Sequence, residues 1–390
     1  VIVAPESSRF ARINSEGVLE CNAPHLEGKR IALVHDWIIS MRGGERVLEQ
    51  MCLLFPDADV HTLCYEPERA SDVIRNMDVH ELKWFGADTL RRHHRKALPI
   101  LPALIRRMPT SEYDIVISTS HCVAKAAPGP RRGLNASYVF SPMRYVWDHF
   151  RDYLGQGDIS DTALRLARGP LRRWDANSNS GIDSIAADSD HIARKIQKFW
   201  NREARTIYPP VNLDMFRPNG QPPEEFFLVV SALVPYKKVG RAVRAATLAG
   251  VKLVVVGDGP ERDRLESLAG ENVEFTGWLP DEEIADLYAR CRAFLYPAIE
   301  DFGITALEAQ ASGRPVLAYA KGGATETVDA PTTGRFFHEP DARALARLMR
   351  EHDDRDYDSA AIRRHAERFS PLAFQREVYE WIAEEALVRC

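Results

Sequence analysis

Residues 296–324 read YPAIEDFGITALEAQASGRPVLAYAKGGA, and this stretch decides the fold. The apolar run 293–296 has the length and bulk of a buried strand. Residues 304–311 have helical spacing, and Gly313 stops them. A strand, a short loop and a helix in that order form one βα unit. It sets Glu300 at the C-terminal tip of the strand and Glu308 just over a turn into the helix, with Phe302, Gly303 and Ile304 between them. Free backbone N–H groups at such a helix start favour an anion, typically a phosphate. A carboxylate in a loop, another on a helix and an anion site between them suit a sugar nucleotide.

Similar units recur on both sides. Buried-strand runs fall at 31–34, 60–63, 115–118, 137–140 and 184–187, then at 226–230, 253–256, 273–275, 293–296 and 315–319. Helical patterns separate most of them, at 45–54, 240–248, 260–268, 281–290 and 304–311. Alternation of this kind predicts an α/β chain with parallel sheets covered by helices on both faces. Pro209 and Pro210 break it in two. The expected organisation is a polar leader over 1–28, a domain over 29–207, a second over 208–370, and a helix over 371–390 that crosses back to the first. Two doubly wound domains facing one another would bring the C-terminal ends of both sheets to a shared cleft.

Composition narrows the function classes. The 390 residues are 45% apolar and 27% charged, enough for a core in each half. A net charge of −5, with no basic helix carrying interleaved aromatics, argues against a nucleic-acid partner. The six cysteines include no CxxC pair, and four of them (Cys52, Cys64, Cys122, Cys291) lie in apolar contexts. They read as reduced core thiols of a cytoplasmic protein rather than zinc ligands. No run approaches the ~18 apolar residues of a membrane span. Residues 83–107, however, carry seven Lys/Arg (Lys83, Arg91, Arg92, Arg95, Lys96, Arg106, Arg107) against Asp88, interleaved with Leu98, Ile100, Leu101, Leu104 and Ile105. That pattern suits either a solvated helix pair or peripheral contact with an anionic membrane, on the inner face of the plasma membrane.

Further residues sit at strand ends. Lys237 and Lys238 follow the strand 226–230, where fixed cations would stabilise a departing diphosphate. Gly43 and Gly44 lie between the first strand and helix, where glycines let backbone approach a phosphate. Asp36 and Trp37 stand at the preceding strand tip and are expected to face the ligand on its acceptor side. His121 follows the strand 115–118. Arg144, Tyr145 and Trp147 lie in an aromatic-rich segment that could wall an acceptor saccharide.

The stretch EDFGITALEAQASGRPV resembles the E-x7-E signature of retaining glycosyltransferases of family 4, which have the two-domain GT-B fold. With GGATETV after it and VPYKK before it, it is similar to bacterial mannosyltransferases of O-antigen and exopolysaccharide assembly. The resemblance runs from about Ile31 to the C-terminal helix. It implies that Glu300 contacts the donor sugar, that Glu308 holds the ribose, and that Phe302, Gly303 and Ile304 supply backbone contacts. It also implies that Lys237 lies on the donor phosphates and that His121 lies by the transferred sugar, helping to orient its hydroxymethyl group. Ala232 stands where the family's phosphate-binding Arg is usual; another cation, such as Lys238, would have to substitute.

The implied activity is retaining transfer of a hexose, mannose from GDP-mannose, to a glycan acceptor that is lipid-linked. No D-x-D follows an apolar strand in a way that suggests a diphosphate-bridging metal. Asp188-Ser189-Asp190 reads as a strand end, and Asp353–Asp356 has no strand before it. Metal-independent chemistry without a cofactor is therefore expected. Two other readings stay open: an enzyme using a UDP-linked donor, a nucleotide-sugar epimerase among them, and a protein that binds a sugar nucleotide or glycan without turnover.

Overall fold

The computed structural model describes residues 9–83, 97–148, 150 and 161–390. The chain divides into two compact units. One runs up to Pro209 and takes in Pro371–Cys390; the other is Pro210–Ser370.

The first domain holds a seven-stranded parallel sheet in the order β5-β4-β3-β6-β7-β8-β9. Its strands are β3 (Ile31–His35), β4 (Asp59–Thr62), β5 (Asp78–Glu81), β6 (Ile115–Ser120), β7 (Leu134–Val139), β8 (Ser184–Ala187) and β9 (Arg205–Thr206). Every residue of β6 and β7 is buried, as expected where helices cover both faces of a parallel sheet. The order reverses between β3 and β6, and the C-terminal ends of strands at such a reversal are where open α/β sheets bind ligands.

The second domain holds a six-stranded parallel sheet in the order β12-β11-β10-β13-β14-β15. These strands are β10 (Phe226–Val230), β11 (Lys252–Val256), β12 (Val273–Gly277), β13 (Phe294–Tyr296), β14 (Val316–Tyr319) and β15 (Gly334–Phe337). Here the order reverses between β10 and β13. The helix Val239–Ala249 packs against Ala342–Arg350 over a core of Phe227, Val243, Leu253, Leu295 and Leu345.

Several expectations change. Residues 9–28 are no irregular leader: β1 (Ala11–Ile13) and β2 (Leu19–Cys21) form an antiparallel hairpin. Glu380, buried on the helix Pro371–Arg389, accepts hydrogen bonds from the N–H groups of Arg9, Phe10 and Ala11 at 2.6, 2.8 and 3.0 Å. Phe10, Ala23 and Leu26 join the same core as Trp381 and Ile382. Three anchoring bonds and three apolar side chains were hidden in a segment whose average composition is polar.

Within 83–107, residues 84–96 lie outside the described residues, and with them Asp88, Arg91, Arg92, Arg95 and Lys96. Leu98, Leu101, Leu104 and Ile105 are buried in the first domain's core, around the short helix Leu101–Ile105, so they offer nothing to a membrane; of the five interleaved apolar residues, Ile100 alone is exposed. Among the described residues no helix is long and apolar enough to cross a bilayer. Cys52, Cys64, Cys122 and Cys291 are buried free thiols, and Cys21 and Cys390 are exposed.

Candidate functional site

In each domain the strand-order reversal gathers the titratable residues. Lys237 follows β10 and Glu300 follows β13, the two strands that flank the reversal in the second sheet. Lys237 ends a single 3-10 turn, Pro235–Lys237, and its Nζ donates to Glu300 Oε2 at 2.6 Å; both side chains keep some solvent exposure. Ser231, Tyr296 and Thr305 line the same small pocket.

The loop that carries Glu300 is shaped by glycine. Gly303 has φ +100°, and a Cβ there would lie 2.2 Å from the hydroxyl oxygen of Tyr296. Gly303 precedes the helix Ile304–Ala311, on which Glu308 Oε2 accepts a 3.1 Å hydrogen bond from the Tyr288 hydroxyl. Opposite, Gly323 presses on the backbone of Phe302, where any Cβ would sit 2.2–2.6 Å from three backbone atoms, and its N–H donates to Glu300 O at 2.9 Å. Phe302 itself is buried against Phe369, leaving its backbone as the group next to the site.

Two glycines that the sequence reading passed over do comparable work on the other wall. Gly257 and Gly259, after β11, accept the close approach of Ser231 O and Leu233 O, which positions the loop around Ala232. The GDG spacing after a strand was the available signal. Lys238 departs from expectation. It has φ +52° and begins the helix Val239–Ala249, so its side chain diverges from that of Lys237 and lines a different groove.

In the first domain Asp36 follows β3 and His121 follows β6. Asp36 does not face a ligand, contrary to the sequence reading. It is fully buried, and its two carboxylate oxygens accept four backbone N–H bonds, from His121 (2.8 Å), Cys122 (3.0 Å), Val123 (2.6 Å) and Ala124 (2.7 Å). His121 Nδ1 lies 3.2 Å from the same carboxylate. Burial alone would push the Asp36 pKa up; His121, His35 and the N–H groups of His121 and Val123 outweigh it and hold the carboxyl below its ordinary value. Burial likewise lowers the His121 pKa, against the pull of Asp36 and with help from Arg144. A neutral imidazole that donates from Nδ1 to Asp36 presents Nε2 as an acceptor.

His35, also missed, packs beside this pair. Its Nδ1 is 2.7 Å from Thr119 Oγ1, and burial pushes its pKa down to about 4. Trp37 is buried with its ring edge-on to His121 at 4.6 Å, so it is packing rather than an acceptor contact.

Tyr145 is buried in the core. Trp147 is stacked on Phe199 at 4.4 Å and covered by Arg172, while its Nε1 donates to the buried Asp175. Neither ring can form a saccharide wall, because its faces are already occupied by protein. Arg144 alone of the three is placed to act on His121.

Gly43 and Gly44 are the first two residues of the helix Gly43–Leu54 rather than a loop before it, and neither has positive φ. Glu45 anchors this helix start: its Oε2 accepts from the Arg42 N–H at 3.2 Å, and burial pushes its pKa up to about 7. Among the described residues, Asp59, Asp78 and His80 form the sole group with metal-ligand geometry. Asp59 and Asp78 begin β4 and β5, at the opposite sheet edge from Asp36 and His121.

Residues 212–367, which carry Lys237, Glu300 and Glu308, match the family described as "Glycosyl transferases group 1". The match covers most of the second domain, the group 1 domain, and less than half of the chain. Relatives with assigned activities are similar over part of their length. A GDP-mannose-dependent alpha-(1-6)-phosphatidylinositol monomannoside mannosyltransferase of Mycobacterium tuberculosis is 30% identical over 208 residues, 45% of this chain and 53% of that protein. A D-inositol 3-phosphate glycosyltransferase of Streptomyces coelicolor is 38% identical over 279 residues, 58% and 60% respectively. The chain thus spans about half the length of the curated relatives it matches. Among solved structures, Anabaena HepE in complex with UDP has a TM-score of 0.66 at 16% identity, covering 91% of this chain and all of that one. The group 1 domain and the domain before it share the GT-B type of fold, each built on a Rossmann-like parallel sheet.

Proposed function

We propose that this chain is a retaining glycosyltransferase that moves mannose from GDP-mannose to a glycan hydroxyl, the glycan being lipid-linked. The observation that carries the reading is the Lys237–Glu300 pair, held at 2.6 Å across the strand-order reversal of the group 1 domain. A cation and a carboxylate that pair in the free protein are poised to exchange partners. Lys237 would turn to the diphosphate, whose charge grows as the glycosidic C–O bond breaks, and Glu300 would accept hydrogen bonds from the sugar hydroxyls. Glu308, steadied by the Tyr288 hydroxyl, supplies a carboxylate for the ribose hydroxyls. The backbone of Phe302, Gly303 and Ile304 opens the helix Ile304–Ala311, where N–H groups favour phosphate. Gly43 and Gly44 would offer the same kind of contact at the start of their own helix.

His121 takes a sugar hydroxyl on Nε2, because Asp36 fixes the proton on Nδ1. Its lowered pKa keeps it neutral, so it orients rather than donates charge. In a front-face retaining reaction the departing phosphate oxygen takes the acceptor's proton, and no protein base is required. The diphosphate charge is met by Lys237 and helix N-termini in this reading, without a metal. The mannosyl donor is supported by the mycobacterial relative, and its lipid acceptor class by the same protein. A second reading is another nucleotide-sugar donor, because the name of the Streptomyces relative, with higher identity, specifies a glycosyl rather than a mannosyl transfer. The test is release of nucleoside diphosphate by the purified chain against a panel of GDP- and UDP-sugars, with and without lipid-linked glycans. Turnover of UDP-sugars in preference to GDP-mannose would defeat the mannosyl assignment, and binding without release would defeat catalysis.

A further inference from the structure

Lys238, which the sequence reading grouped with the donor phosphates, leads to a second site. It lines a groove of about 590 Å³ together with Arg241, Arg244, Arg264 and Arg343, and shares no lining residue with the Lys237–Glu300 pocket. Five cations face two carboxylates there, Glu261 and Asp341. Both acids are engaged. Glu261 takes a bidentate contact from Arg264 at 2.8 and 2.7 Å, and Asp341 accepts the Ala344 N–H at 2.8 Å to start the helix Ala342–Arg350. Arg241 is held in place from behind: it donates to Pro297 O, and its guanidinium lies over the Tyr319 ring at 5.0 Å. Lys238, Arg244 and Arg343 are exposed, and among the described residues no carboxylate lies within ion-pair distance of them.

Like charges gathered this way repel one another and raise the energy of the empty groove. A chain whose net charge is −5 has carboxylates to spare, yet none among the described residues pairs with these three. An anion that bridges the helices Val239–Ala249 and Ala342–Arg350 relieves the repulsion, and arginine's planar fork suits phosphate oxygens. The volume lies within the ~300–1,000 Å³ of ordinary small-molecule sites, more than a single phosphate fills.

We infer that this groove, bounded by Lys238, Arg241, Arg244 and Arg343, binds a ligand carrying at least two phosphate charges, separately from the Lys237–Glu300 pocket. The ligand's phosphates could belong to a soluble molecule or to a lipid headgroup, and the inference is independent of the proposed transfer reaction.

The experiment uses the full chain carrying Lys237→Ala, so that the other pocket's cation is absent. Inorganic pyrophosphate is titrated by calorimetry, and the same protein is sedimented with vesicles of phosphatidylcholine alone or with added phosphatidic acid. Arg244 and Arg343 are exposed, so Arg244→Glu/Arg343→Glu is added to the same background, with a thermal melt to verify folding. The expected result is pyrophosphate binding that weakens with salt and falls at least about tenfold in the charge-reversed protein. Parallel loss of binding to phosphatidic acid vesicles would identify the lipid source; vesicle binding that is absent or unaltered would identify the soluble one. Pyrophosphate affinity that is undetectable in the Lys237→Ala protein, or unchanged by the two reversals, overturns the inference.

Discussion

Replacing Asp36 with Asn tests how much of the first domain's active edge rests on one buried carboxylate. Two oxygens accept four N–H bonds of 2.6–3.0 Å from residues 121–124. Asparagine offers a single oxygen, which can keep two of them; its NH2 group then faces the other two donors. Each buried N–H left without an acceptor costs about 1–3 kcal/mol, so the substitution should destabilise the domain by about 4 kcal/mol. In a domain of this size that is a fall of about 10 °C in Tm. Denaturant melts of the two proteins at pH 7 measure it.

The pH dependence supplies an internal check. Because Asp36 titrates below its ordinary value when folded, its contribution is complete above the unfolded value of about 3.9 and is lost as pH falls through the folded one. The gap between wild type and Asp36→Asn should therefore narrow below about pH 4. A loss under about 1 kcal/mol at pH 7, or a gap that is unchanged in acid, would refute the account.

Other substitutions probe the second domain and the hairpin. Gly323→Ala, at an ordinary φ, should cost about 3 kcal/mol and weaken nucleotide binding, because the Phe302 backbone cannot yield as a side chain would; a wild-type melt would count against it. Lys237→Ala should lower the rate of nucleoside diphosphate release about 10²–10³-fold with a smaller change in donor KM, and an unaltered rate would sink the phosphate role. Glu300→Gln, which keeps the size of the side chain and removes its charge, should also abolish most turnover in the same assay. Glu380→Ala strands the N–H groups of Arg9, Phe10 and Ala11. Hydrogen exchange should show residues 9–21 losing protection while β6 and β7 keep theirs.

The sheets were legible because their strands are short apolar runs: β8 and β10 fall where the composition put them, residue for residue. What escaped were strands whose partners, rather than their own composition, make them strands. β5 reads Asp-Val-His-Glu and is exposed at alternate positions of a sheet edge, and β15 begins with a glycine. At the site the sequence located the residues better than it assigned their surroundings. Glu300, Lys237 and His121 stand at the strand tips where they were expected. Asp36, Trp37, Tyr145 and Trp147 are turned inward, a property that depends on backbone donors and rings distant in the chain. Lys238 shows the limit most plainly: one residue with positive φ sends adjacent lysines into different pockets.

The group 1 domain is one uninterrupted segment, whereas the first domain is assembled from both ends of the chain. The Val211 N–H donates to Phe369 O at 2.9 Å, so the segment leaves and returns at neighbouring points. In engineering terms residues 210–370 are a cassette. A related segment with a different nucleotide preference could be spliced between Pro209 and Pro371, provided that its ends meet as closely. A chain stopped at Ser370 would not be a trimmed version of this protein, because Phe374, Trp381 and Ile382, buried in the first domain, would be missing from its core.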